Sequence, residues 1–150
     1  MQTTGIQEHA ATIDAQTLAE VDRVLTGMRD AWGRGDASAY ADLFTEDASY
    51  VIYVGGVSLG REAIRRDHEP VLAKWQKGSR MEMRVLDVAP IAPDVVRVLT
   101  EGGVGTGKRV PLDKVQTYTL VRTEAGWRCA AFQNTKKNRL FLWMNAMASR

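Results

Sequence analysis

The sequence predicts an α+β domain whose helices cover one face of a mostly antiparallel sheet. Two observations carry this. Apolar residues recur with helical period in the first half and with period two in the second, and helices and strands nowhere alternate as βαβ units. At 150 residues, with 45% hydrophobic and 25% charged positions, the chain has the size and composition of one globular domain with a single core.

Residues 1–13 form a polar lead that contains His9 and is expected to fray, which leaves 14–150 as the folded domain. Val21, Leu25, Met28 and Trp32, with Leu18 one turn earlier, lie on one helical face and predict a first helix. It opens near Asp14 to Thr17, where Thr17 and Glu20 fit a capping box, and closes at Gly33-Arg34-Gly35. Asp36 caps a shorter second helix presenting Tyr40, Leu43 and Phe44. Ala48 to Val54 reads as a strand, Gly55-Gly56 as a turn and Val57 to Leu59 as a second strand. A third helix from Arg61 places Ile64, His68, Leu72 and Trp75 on one face, and Pro70 predicts a kink or restart beside His68. Alternation then marks strands at Met81 to Leu86, Val95 to Leu99, Lys114 to Arg122 and Trp127 to Thr135, with turns at Pro90 to Pro93 and Thr123 to Gly126. The apolar run Leu140 to Met147 predicts a short C-terminal helix over 138–147.

Charge excludes little but is unevenly placed. Lys+Arg minus Asp+Glu is 20 − 18, a net of +2, too small and dispersed to predict nucleic-acid or membrane binding. Lys136, Lys137, Arg139 and Arg150 face no acid after Thr135, so the body before them carries −2. The single cysteine, Cys129, excludes an internal disulfide and a cysteine-based metal site. With acids in the first twenty residues and no apolar stretch of membrane-spanning length, a soluble cytoplasmic protein is expected.

Several motifs fail on context. Gly102 to Lys108 fits most of a phosphate-binding loop, but Arg109 stands where a Ser or Thr must hold magnesium, and Pro111 with another strand comes next instead of a helix. A glycine-rich hairpin loop is the better reading. Arg34-Gly35-Asp36 reads as an inter-helix turn. Asp67, His68 and Glu69 are consecutive and point apart on a helix, so no metal is expected. No Gly-x-Ser-x-Gly elbow supports a nucleophilic triad. His68 remains, either as a hydrogen-bonded core histidine or as a working group. Gln116, Tyr118 and Asn134 alternate with apolar residues on strand faces that could meet it. Together they would give a few polar points in an apolar cavity, the usual make-up of a small-molecule site.

The runs AWGRGDASAYADLFTEDASYV, GREAIRRDH, VQTYTLVR and GWRCAAFQNT resemble the nuclear transport factor 2-like (SnoaL-like) superfamily, and its SgcJ/EcaC-type branch in particular. The resemblance spans about Asp14 to Thr135. It implies a cone-shaped α+β barrel of three helices on a bent sheet of about six strands, an internal apolar cavity and a homodimer through the outer sheet face. It does not carry chemistry over. Aligned on the Gly35-Asp36 and Asp47-Ala48 landmarks, Met28 stands at the tyrosine of ketosteroid isomerase, Ile52 at its base and Tyr118 near its late acid. The Arg-x-Asp strand of limonene epoxide hydrolases is absent, and the two pocket histidines of scytalone dehydratase reduce to His68.

Residue pattern and resemblance together imply a pocket protein of enediyne or polyketide biosynthesis that binds an apolar polyene or polyketide intermediate and assists its release or processing. His68 and Tyr118 are its candidate catalytic groups. Trp32, Tyr50, Ile52, Trp75, Gln116, Phe132 and Asn134 are its candidate ligand contacts, with no cofactor and no metal. Two alternatives stay open. One is a cofactor-free cyclase, dehydratase or isomerase with His68 as acid or base and Tyr118 as electrophile. The other is a noncatalytic domain that docks on a polyketide synthase or thioesterase through its basic, apolar tail.

Overall fold

The computed structural model describes residues 13–150; His9 and the rest of the lead up to residue 12 lie outside them. Helix α1 (Ala15–Gly33) starts where Asp14 Oδ1 accepts the Thr17 backbone N–H at 2.8 Å. The expected capping box is corrected here. The Thr17 hydroxyl donates to Asp14 Oδ2 at 2.9 Å, so Asp14 is the cap, and Glu20 turns to Arg122 instead. Val21, Val24, Leu25, Met28, Ala31 and Trp32 are buried along one stripe. Each large apolar side chain so buried contributes about 1.5–3 kcal/mol. Helix α2 (Ala37–Ala41) is capped by Asp36 as expected, but it ends sooner than the spacing of Leu43 and Phe44 implies.

Phe44 instead opens β1 (Phe44–Val51), four residues ahead of the expected strand. Thr45 to Ala48 form an irregularity between the pairs Phe44/Cys129 and Ser49/Ala131, which hides the strand's alternation in the sequence. Strand β2 (Val57–Leu59) pairs back on β1. Helix α3 (Arg61–Pro70) runs into one π-helical turn, Val71–Trp75, and this is the form the expected disturbance at Pro70 takes. Strands β3 (Arg80–Ala92), β4 (Val95–Gly105), β5 (Lys114–Thr123) and β6 (Gly126–Lys136) complete the sheet. Strand β3 continues through Pro90, because it lies at the sheet's edge where a missing N–H costs no ladder bond. Helix α4 (Arg139–Ala148) comes last, capped by Asn138.

The strand order is β2-β1-β6-β5-β4-β3, antiparallel except for the β1/β6 pair. The sheet is therefore mostly antiparallel as expected, but β2 and β3 remain edges and it does not close into a barrel. Its inner face carries Phe44, Tyr50, Val96, Val98, Tyr118, Leu120 and Phe132 against α1, α2 and α3. Cys129 is buried there too, and burial pushes its thiol up to about 12. No helix among the described residues is long and apolar enough to cross a membrane.

Candidate functional site

At the end of the sheet where β5 starts and β6 finishes, the packing leaves a cavity of about 180 Å³. Helix α1 supplies Trp32, α3 supplies His68 and the π turn Val71, while Tyr50, Ile52, Gln116, Phe132 and Asn134 come from β1, β5, β6 and the turn after β1. A wider groove of about 650 Å³ opens at the opposite end, among Asp42, Glu46, Asp47, Arg61, Glu124 and Arg128. Its acidic side chains are exposed, and Arg61 is held by two bonds to the Phe44 carbonyl at 2.9 and 2.7 Å. Among the described residues no cluster of His, Cys, Asp and Glu is arranged to hold a metal.

His68 is 6% exposed and its orientation is fixed from its own helix. Nδ1 lies 2.7 Å from the Ile64 carbonyl, which can only accept, so Nδ1 carries the proton and Nε2 keeps a lone pair. The ring is packed edge-on to Trp32 and Tyr50, with centroids at 6.0 and 4.8 Å, and tilted over Tyr40 at 4.9 Å. Burial lowers its pKa, outweighing the Ile64 carbonyl and the Asp67 carboxylate, which both favour the charged ring. Neutral pH therefore leaves a neutral imidazole in the cavity wall, and Nε2 has no hydrogen-bond partner among the described residues.

The aromatic groups behind it are already paired. Trp32 Nε1 donates to Ser79 Oγ at 2.9 Å, and the Tyr40 and Tyr50 hydroxyls bond each other at 2.9 Å. Gln116 Oε1 accepts from Thr100 Oγ1 at 2.9 Å, which leaves its amide N–H groups unused. Asn134, directly across the β5/β6 ladder from Gln116, has its Oδ1 buried without a partner. At the rim Lys114 is paired with Asp113 at 2.8 Å, its ammonium 5.2 Å from the centre of the Tyr53 ring. No carboxylate among the described residues lines the cavity.

The glycines that imitate a phosphate loop shape this wall. Gly102 and Gly103 lie within β4, so the hairpin loop is shorter than the expected Gly102 to Lys108. A Cβ on Gly102 would come within 2.1 Å of Gln116 Oε1, and one on Gly103 within 2.0 Å of the Pro111 carbonyl oxygen. Close approach of Gln116 and of the Pro111 backbone, rather than phosphate binding, accounts for both.

Helices packed on one face of a mostly antiparallel sheet are an architecture shared with known proteins. The model of the SnoaL-like domain matches residues 21–133. The chain belongs to the SnoaL-like family. Solved structures repeat this SnoaL-like fold. A domain of unknown function with a cystatin-like fold from Nostoc punctiforme has a TM-score of 0.78 at 21% identity, covering 92% of this chain and 89% of that one. An NTF2-like protein of unknown function from Shewanella oneidensis gives 0.70 at 15%, with 80% and 99% covered. A protein of the NTF2-like family from Streptomyces avermitilis, provisionally assigned as a dehydratase, gives 0.66 at 18%, with 81% and 96% covered. No curated protein sequence matches the chain.

Of the residues expected at the site, Trp32, Tyr50, Ile52, His68, Gln116, Phe132 and Asn134 line this cavity. Two stand elsewhere. Tyr118 is 1% exposed and packs beside Phe132, ring centroids 4.9 Å apart, where burial raises its pKa and it does not line the cavity. Trp75 is 77% exposed, because the π turn after Pro70 rotates it off the face that carries His68. Tyr53, Val71, Gln76, Met81, Gly103, Val104 and Lys114 complete the wall, and the sequence reading misses all seven as ligand contacts. The run of Tyr53 directly after Tyr50 and Ile52 is the available signal for one of them.

Proposed function

We propose that this SnoaL-like domain binds an uncharged, mainly apolar small molecule that ends in a hydroxyl or carbonyl group, with that end placed beside His68. The observation that carries the reading is the set of unpaired polar atoms in a mainly apolar wall: His68 Nε2 as acceptor, and the Gln116 and Asn134 amides. Leaving such groups unmatched costs about 1–3 kcal/mol each, so a ligand that pairs with them gains both affinity and orientation. A carboxylate ligand finds no free cation in the wall, since Lys114 is occupied by Asp113.

About 180 Å³ holds one ring or a short chain segment, for an apolar cavity near 150 Å³ takes up benzene. A longer polyene or polyketide would enter by one end and run out past Ile52 and Tyr53. The resemblance to the SgcJ/EcaC-type branch supports such a ligand, an enediyne-pathway intermediate included, handed over by a polyketide synthase or thioesterase. Titrating the protein with conjugated polyenols of increasing length, while following tryptophan fluorescence, tests this. Saturable quenching, weakened in Asn134→Leu, is expected; no saturable change across the series would refute the reading.

The free Nε2 favours a second reading, in which His68 takes a proton from the bound molecule during a cofactor-free dehydration, isomerisation or cyclisation. The Gln116 amide would then polarise the substrate oxygen in place of the distant Tyr118. His68→Gln should keep binding and lose product formation, and undiminished turnover would remove His68 from the chemistry.

A further inference from the structure

We propose that helix α4 of one molecule covers the cavity mouth of a second copy, which returns the same contact, so that the enclosed site exists only in a two-fold dimer. Helix α4 has no buried residue. Leu140, Phe141, Leu142, Trp143, Met144 and Met147 are 50–67% exposed. Five of these are consecutive, and at 3.6 residues per turn they cover every side of the helix. A helix apolar all round is a helix that other elements enclose, and a single groove on its own domain would leave half of it in water.

Its place in the fold selects the partner. Strand β6 passes through the cavity wall at Asn134, ends at Lys136 and reaches α4 after two residues. Lys137 pins that short link: its N–H donates to the Asp113 carbonyl at 2.8 Å, and Nζ bonds Glu101 Oε1 at 2.8 Å and the Leu112 carbonyl at 3.0 Å. The helix is therefore held at the mouth end of the molecule and projects from it. The mouth is itself uncovered and mainly apolar, with Lys114 and Lys136 beside the Tyr53 ring at its edge. Tyr53 is 47% exposed, and Val54 and Trp75, each next in sequence to a wall residue, are 70% and 77% exposed.

Helix and rim are thus two exposed apolar surfaces carried by the same chain at the same end. An isologous dimer needs that arrangement, since each copy must offer both surfaces. Helix and rim together expose on the order of 1,000 Å² of apolar surface per copy, enough for the roughly 800 Å² per partner found in specific complexes. This dimer forms whichever ligand the cavity takes.

Sedimentation velocity of the full chain over a concentration series tests it. A dimer is expected. The double change Leu140→Asp, Trp143→Asp should raise the dissociation constant at least about 30-fold, and its far-UV circular dichroism should stay unchanged apart from α4. Trp75→Asp, on the rim, should act in the same direction. Mixing the tail variant with the rim variant should restore part of the association, because one intact tail then meets one intact rim. A monomer at every concentration would overturn the proposal. So would a dimer indifferent to both variants, which would place the contact on the outer sheet face, or variants that fail to complement each other on mixing.

Discussion

His68 takes its properties from its neighbours and from its depth. The Ile64 carbonyl sets the tautomer, the surrounding rings of Trp32, Tyr40 and Tyr50 set the orientation, and burial disfavours the charged form. Burial also links stability to pH. An unfolded chain takes up the proton near the ordinary value of 6.5, whereas the folded chain resists it until a lower pH. Between those values the unfolded state holds more protons, so stability falls as pH drops below about 6.5 and levels off below the folded pKa. One group contributes a slope of at most about 1.4 kcal/mol per pH unit. Urea denaturation at pH 7.5, 6 and 5 should show this fall in the parent protein and a shallower one in His68→Gln. Equal pH profiles would mean that His68 is as solvated in the folded state as in the unfolded one.

At the scale of elements, the cavity depends on where strands and helices approach closely. Gly103→Ala sets a Cβ 2.0 Å from the Pro111 carbonyl oxygen, which cannot step aside, while Gly102→Ala meets chiefly the Gln116 side chain, which can rotate at the loss of its Thr100 bond, and the Glu82 carbonyl less closely at 3.2 Å. Gly103→Ala should therefore destabilise more, by roughly 1–3 kcal/mol, and Gly102→Ala should mainly weaken ligand binding. Thermal melts and the fluorescence titration separate the two effects. Asp14→Ala removes both bonds to Thr17 and should cost about 1 kcal/mol in the same melts.

The same elements differ in how far the sequence makes them legible. The stripe from Val21 to Trp32 and the alternation around Tyr118 and Phe132 are periodic because one face is buried, so both can be read directly. Phe44 cannot, because the irregularity at Thr45 to Ala48 breaks the period of two just where β1 begins. Trp75 shares helical spacing with His68, but the wider π turn after Pro70 moves it out to solvent. Tyr118 faces inward as expected, yet it packs beside Phe132 in the core and does not line the cavity, a depth that no spacing encodes.

For the whole molecule, the open six-stranded sheet and its three covering helices hold the fold together without α4. Deleting residues 138–150 should leave the thermal midpoint of the remaining domain within a few degrees of the parent monomer, since no buried side chain is lost. A collapse of the fold on that deletion would show that the domain needs α4 to fold. What remains at the centre is a neutral imidazole with one unpaired nitrogen, facing a cavity of about 180 Å³. Nitrogen-15 spectra of the histidine rings at pH 7, recorded without and with a short polyenol or a phenol, address it directly. A neutral ring protonated on Nδ1 is expected, with an Nε2 resonance that moves as the ligand saturates. A ring that titrates near 6.5 and ignores every such ligand would contradict the assignment of His68 to a ligand site.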